Sequence, residues 1–191
     1  MLAAGKVQEG SLTETSRTIV RTGIATFFGG ADYDENFRAY YNGPLLSYGL
    51  STVKAYLSKR EPDTNFVFGQ NPGRGMGAFA EVEIPETIDR PLTTSLIPAQ
   101  GGQRRLTYPV RLNVFHMAMQ PYAEDAEADC DALDQAIHEL LYSDPTLGGI
   151  CYQAGMSNAG IHSQFSAAEL WKEITLSHFV VEFDAEIQII V

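Results

Sequence analysis

Residues 107–149, TYPVRLNVFHMAMQPYAEDAEADCDALDQAIHELLYSDPTLGG, read as a strand, an acidic helix and an abrupt stop. Between Tyr108 and Met119 the apolar side chains Val110, Leu112 and Val114 alternate with Arg111 and Asn113, the two-residue period of a half-buried strand. Towards its end this run turns apolar on both faces. Beyond Pro121 the period lengthens: Ala126, Cys130, Leu133, Ile137, Leu140 and Leu141 recur every three or four residues and so share one stripe of a helix. Glu124, Asp125, Glu127, Asp129, Asp131 and Asp134 crowd its first turns, where carboxylates interact favourably with the positive end of the helix dipole. Asp144 and Pro145 end it, and Thr146–Gly149 turn the chain towards a new strand.

The chain after this block is dominated by one pattern. In FVVEFDAEIQIIV (179–191), Phe179, Val181, Phe183, Ala185, Ile187 and Ile189 fall on one face, and Glu182, Asp184, Glu186 and Gln188 on the other. So long a strand, reaching Val191, is expected to be tied into the sheet. Between the two, Ile150–Met156 reads as a central strand and 157–169 as a small, polar connection.

This order of elements resembles the tail terminator (tail completion) proteins of long-tailed bacteriophages. The features that carry the resemblance are the acid-rich helix DAEADCDALDQAIHELLYSD, the Thr-Leu-Gly-Gly turn, the middle strand and the long closing strand, and it covers residues 45 to 191 in element order. None of these is a catalytic signature. The resemblance implies a structural virion protein: a homohexameric ring at the head-proximal end of the tail that ends polymerisation of the tail tube and offers a docking surface to the head connector or adaptor. It implies no enzymatic activity and no cofactor. Assembly would take place in the host cytoplasm and the final location would be the head–tail junction, or neck, of the virion. The first 43 residues stand as an N-terminal extension, which either wraps a neighbouring copy or covers the core, and residues 44–191 as the terminator-like domain.

Upstream, Ser11 and Glu14 have the spacing of a capping box, and Leu12, Ser16, Ile19, Val20, Gly23, Ile24, Phe27 and Phe28 follow with an approximate helical period. The run Thr18–Val20 also suits a strand, and Gly29 and Gly30 end the element in either case. Residues 31–43 read as a loop. Leu46, Leu50, Val53 and Leu57 predict a helix over 44–60, closed by Pro62. Short strands are expected at 65–70 and 78–84, the second with Val82 and Ile84 inward and Glu81 and Glu83 outward. The intervening NPGRGMG is glycine-rich, but it runs into a strand and lacks the Lys and Ser or Thr that open the helix of a phosphate loop, so it reads as a turn.

Residues 85–107 contain Pro85, Pro91, Pro98, Gly101 and Gly102 and read as a long loop. Arg90, Arg104 and Arg105 give it local positive charge. The resemblance makes it a hairpin extension that touches a neighbouring subunit or the tail tube, with these arginines meeting a partner's acids. The alternative is a solvated loop.

The fold class that follows is α/β (α+β), one domain with a mixed, mainly antiparallel sheet of about five strands and helices packed on one face. With 191 residues, 45% of them hydrophobic, the chain suffices for one sizeable core. No apolar run approaches the roughly 18 residues of a membrane span, and MLAAGKVQEG lacks the apolar centre of a signal peptide, so a soluble chain that is neither exported nor membrane-bound is expected. Cys130 and Cys151 read as small buried hydrophobes of a reducing compartment.

The net charge of −11 is unevenly distributed. Residues 1–111 hold 12 Lys and Arg against 11 Asp and Glu, whereas residues 112–191 hold only Lys172 against 13 acids. Such a surface repels phosphates, because DNA affinity comes largely from cations that displace counterions. In a ring, six copies at −11 each carry −66, and an acidic lumen would pass genomic DNA without binding it. Glu182, Asp184 and Glu186 of the last strand, with Glu124, Asp125 and Glu127 of the helix, are the candidates to line it. Acidity that merely maintains solubility is the plainer reading.

Two other readings remain, the second from a different class. One is another ring-forming junction component, a head-completion adaptor or a tail tube protein. The other is a small metal-dependent hydrolase using His178, which shares strand parity with Glu182. Against a metal, the four histidines are scattered, with no HExxH and no cysteine cluster. Arg111, on the neighbouring strand, is expected to pair with one of the last strand's acids.

Overall fold

A computed structural model describes residues 16–29, 43–55, 76–93, 103–118, 123–157, 159–171 and 174–190. Two long strands form its spine. β4 (Gln103–Ala118) and β8 (Ile174–Ile190) run antiparallel in unbroken register from Gln103 opposite Ile190 to Ala118 opposite Thr175. Shorter strands flank them. Along one side of β4 lie β2 (Met76–Glu83) and then β3 (Ile88–Thr93), both antiparallel to it, and β1 (Leu50–Lys54) adds to β2 in parallel. Along the far side of β8 lie β7 (Glu169–Trp171), β6 (His162–Phe165) and β5 (Gln153–Ala154), all antiparallel to it.

Two helices pack on one face of this sheet. α1 (Ser16–Gly29) lies over β1 and β2, and α2 (Ala123–Ser143) over β4 and β8. The core between the layers joins Val20, Ile24 and Phe28 of α1 and Leu133, Ile137 and Leu141 of α2 to Leu112, Val114, Val181 and Phe183 of the spine. Each of these side chains is at most 3% exposed. The alternation expected of both long strands is therefore realised, with Phe179, Val181, Phe183 and Ala185 under the helices.

The sheet is mixed, mainly antiparallel and larger than the five strands expected: eight strand segments are present among the described residues. Most of the difference comes from short edge strands. Residues 157–169, expected as a connection, contain β6 and the start of β7. β8 is long enough to template several short segments, so pairing there depends on a neighbour that local sequence does not reveal. Likewise, residues 85–107 are not one loop: Ile88–Thr93 pairs with Gln103–Thr107, so β4 starts five residues before Tyr108.

Ile150–Met156 is not a central strand. Only Gln153 and Ala154 pair with β8, at its edge, while Tyr152 and Met156 are 58% and 49% exposed. The cause lies just upstream, where Leu147, Gly148 and Gly149 take positive φ of 52°, 71° and 86°. Asp144 supports this turn by accepting from the Thr146 N–H, the Thr146 hydroxyl and the Gly148 N–H at 2.6–3.0 Å. Leu147, fully buried, bears the unfavourable left-handed conformation because its side chain enters the core.

The helix expected over 44–60 is replaced, as far as residue 55, by a single 3₁₀ turn (Leu46–Tyr48) and by β1. Gly49, at φ 89°, ends the turn. A register irregularity between Leu50 and Thr52 lets Leu50 and Val53, three residues apart, both reach the core. That spacing imitates a helical stripe. Glu81, expected to point outward, is only 6% exposed, because the end of the sheet that bears it also has a buried second face, where Phe79 packs on Met117.

α1 settles its own ambiguity as a helix, and the described part of the expected N-terminal extension belongs to the core. The Arg17 guanidinium donates to the Ile84 carbonyl. Gly23 passes so close to the turn after α2 that a Cβ there would stand 2.6 Å from Ile150 Cδ1. The capping residues Ser11 and Glu14, the loop at 31–42 and the strand expected at 65–70 lie outside the described residues, as does all of NPGRGMG except Met76 and Gly77, which open β2.

Candidate functional site

The helix-free face of the sheet concentrates the charged side chains. Because β4 and β8 are in register, odd residues of β4 and even residues of β8 share this face. Arg111 stands opposite Glu182, and its Nε donates to Oε1 at 2.7 Å, so the expected cross-strand pair is present. Arg105 Nη1 lies 3.6 Å from Glu186 Oε2. The same carboxylate oxygen accepts from Gln153 Nε2 at 2.7 Å, and Glu186 is 8% exposed. Asp184, between these acids on β8, has no side-chain partner among the described residues.

The arginines expected as one contact surface divide. Arg104 points to the opposite side of the hairpin and pairs with Asp89, which holds its guanidinium above its ordinary pKa. Arg90 stands next to Arg105 in the β3–β4 register, is exposed and makes no ion pair among the described residues. Arg90 and Arg105, with Asp184 and Glu186, border one cleft of about 400 Å³. Arginines and strand acids read as separate surfaces in the sequence thus meet in a single place. What hid this is the edge pairing of β3 and β5, which has no local signature.

The six acids proposed for a lumen also divide. Glu124, Asp125 and Glu127 are exposed on α2, a helix with seven carboxylates and no Lys or Arg. They lie on the helix side of the sheet, whereas Glu182, Asp184 and Glu186 lie on the face opposite.

Two clusters bear on chemistry. Ser163 on β6 donates to Asp134 Oδ1 at 2.5 Å, and its oxygen lies 2.9 Å from His138 Nε2. Ser, His and Asp are together, but the carboxylate takes the serine proton directly and does not orient the imidazole from its far nitrogen. The arrangement therefore lacks the relay of a nucleophilic triad and acts as a bracket between β6 and α2. His178 stacks on Phe115 with ring centres 4.6 Å apart, and burial lowers its pKa. Glu182, its expected metal co-ligand, is taken by Arg111. Among the described residues no group of three His, Cys, Asp or Glu side chains is arranged to hold a metal ion.

Beneath α2, His116 is 1% exposed with neither ring nitrogen hydrogen-bonded, and its burial lowers its pKa against the opposing influence of Asp129. Cys130 and Cys151 are buried and unpaired. Burial pushes their thiols up to about 11 and about 12. Neither is a nucleophile at neutral pH.

No helix among the described residues is long and apolar enough to cross a membrane. No protein-family model matches the chain, and no curated protein matches it either.

Proposed function

We propose that this chain is a structural protein of a long phage tail that forms a ring at the head-proximal end of the tube, stops tube growth and receives the head connector. The observation that carries this reading is the position of two complementary surfaces on different parts of one molecule. The β3–β4 hairpin exposes Arg90, which makes no ion pair among the described residues, along with most of β3, while Arg104 is neutralised by Asp89; α2 exposes carboxylates without a compensating Lys or Arg. Complementary patches at separate places favour head-to-tail association, and such contacts make a ring where the rotation between successive copies closes and an open filament where it does not. Of the features that carry the resemblance, the acidic helix and the long closing strand are present within residues 45–191, whereas the middle strand is reduced to an edge pair.

In such a ring the unpaired acids of α2 are the better lumen candidates, since Arg111 and Arg105 partly neutralise Glu182 and Glu186. Genomic DNA would pass by repulsion, without specific contacts.

The decisive experiment is to disable the gene in its virus and examine lysates by negative-stain electron microscopy. Overlong or irregular tails beside detached, DNA-filled heads are the expected result. Tails of normal length joined to heads would overturn the reading. Purified protein that stacks into long tubes would instead identify a tail tube protein.

A further inference from the structure

The cleft at Arg90 does not end at Glu186. Asp184 and Ala159 also border a second hollow of about 220 Å³, which continues along β8 to Glu182. Together they make a trough on the helix-free face, floored by Glu182, Asp184 and Glu186 and spanning about 13 Å of strand. One wall is the base of the β3 hairpin, with Ile88 and Arg90, and the other is formed by Met156, Ser157, Ala159 and Gly160.

The charges in this trough are unevenly satisfied. Glu182 and Glu186 are paired with Arg111 and Arg105, which leaves Asp184 in the middle, Arg90 at one end and the exposed Glu86 beside the second hollow without an ion-pair partner among the described residues. Two donors in the wall, Arg105 Nε and Ser157 Oγ, are buried and make no hydrogen bond. Buried donors without acceptors are uncommon in folded proteins, and here they leave the wall of the trough incompletely satisfied.

We infer that the trough is a docking site for an extended segment of a partner polypeptide that carries a basic side chain to Asp184 and a carboxylate to the Arg90 end. The dimensions suit this occupant: 13 Å is about four residues of extended chain, and side chains two apart point the same way about 6–7 Å from each other. Charge decides the rest. A purely acidic segment meets Asp184, a purely basic one meets Arg90, and one with both signs satisfies each. The inference goes beyond the tail reading and does not depend on it.

The test is NMR of the full-length, isotope-labelled chain at low salt, titrated with acetyl-Ala-Arg-Ala-Glu-Ala-amide, with the reversed acetyl-Ala-Glu-Ala-Arg-Ala-amide, and with acetyl-Ala-Gln-Ala-Gln-Ala-amide. Saturable shifts at the amides of Gly155, Ala159 and Gly160 are expected from at least one charged peptide, and none from the glutamine peptide. Asp184→Asn, which preserves shape and removes charge, is expected to weaken binding about tenfold. Arg90→Gln is expected to weaken it less, because its guanidinium is exposed. Each variant's own amide spectrum verifies its fold. The inference is overturned by the absence of saturable shifts up to about 10 mM peptide, where even millimolar affinity would register, by equal binding of the glutamine peptide, or by unchanged binding to Asp184→Asn.

Discussion

Arg111 on β4 and Glu182 on β8 face each other in register and join through a 2.7 Å hydrogen bond on the helix-free side of the sheet. Both side chains are partly open to solvent, so the pair's contribution is modest, roughly 0.2–1 kcal/mol. Its value is in fixing the identity of that face. Reversing Arg111 to Glu places like charges directly opposite and should cost about 1 kcal/mol in urea unfolding. The exchanged double variant R111E/E182R should recover most of this loss. Additive single effects would show that the two side chains do not interact.

His116 makes stability depend on pH. Its folded pKa is depressed, so below the unfolded value the unfolded chain binds more protons, and stability falls as pH drops from about 6.5 towards 5. Replacement by Met removes this slope and two buried nitrogens without hydrogen bonds. Met at 116 is expected to stabilise the chain at pH 5.5 by about 1–3 kcal/mol, as read from urea unfolding at both pH values.

Asp144 holds the left-handed turn after α2. Its hydrogen bonds, foremost that from the Thr146 hydroxyl, lower its pKa. The sign is opposite to that of His116: this contribution is complete above the unfolded pKa near 3.9 and is lost as pH falls through the folded value. Asp144→Ala should destabilise by about 1–3 kcal/mol at pH 7. The deficit relative to wild type should shrink in thermal melts at pH 2–3.

Gly23 lets α1 approach the turn. Gly23→Ala should cost about 1–3 kcal/mol because the new methyl collides with Ile150. A second change, Ile150→Val, removes the atom at 2.6 Å and should relieve part of that cost. Thermal melts of the four proteins in this cycle measure the coupling.

Cys130 and Cys151 should resist modification. With both thiols buried and their pKa values near 11 and 12, a thiol-reactive disulfide reagent at pH 8 should label neither cysteine in the native chain and both after denaturation. Rapid native labelling would show that α2 or its following turn opens readily.

What was legible in the sequence was whatever repeats along it. The acidic helix, the two spine strands and their inward faces follow from periods of 3.6 and 2, because burial of one face imposes that period on the residues themselves. That Arg111 would meet one of the last strand's acids was legible for the same reason, since both strands were recognisable and their polar faces had to coincide; that the acid is Glu182 was set by the register. What tertiary structure alone decided was how short segments are used. β3, β5, β6 and β7 are strands because β4 and β8 offer them unpaired backbone groups, and Leu50–Val53 is a strand whose register irregularity imitates a helix. The trough depends on just those edges. Gln153 reaches Glu186, and Arg90 borders the same cleft, only after β5 and β3 have docked, and Asp184 is left without a counter-charge because it faces Pro109 while Arg111 faces Glu182 and Arg105 reaches Glu186 diagonally. Sequence fixes a periodic element by itself; a site assembled from sheet edges exists only once long-range pairing has chosen which residues meet.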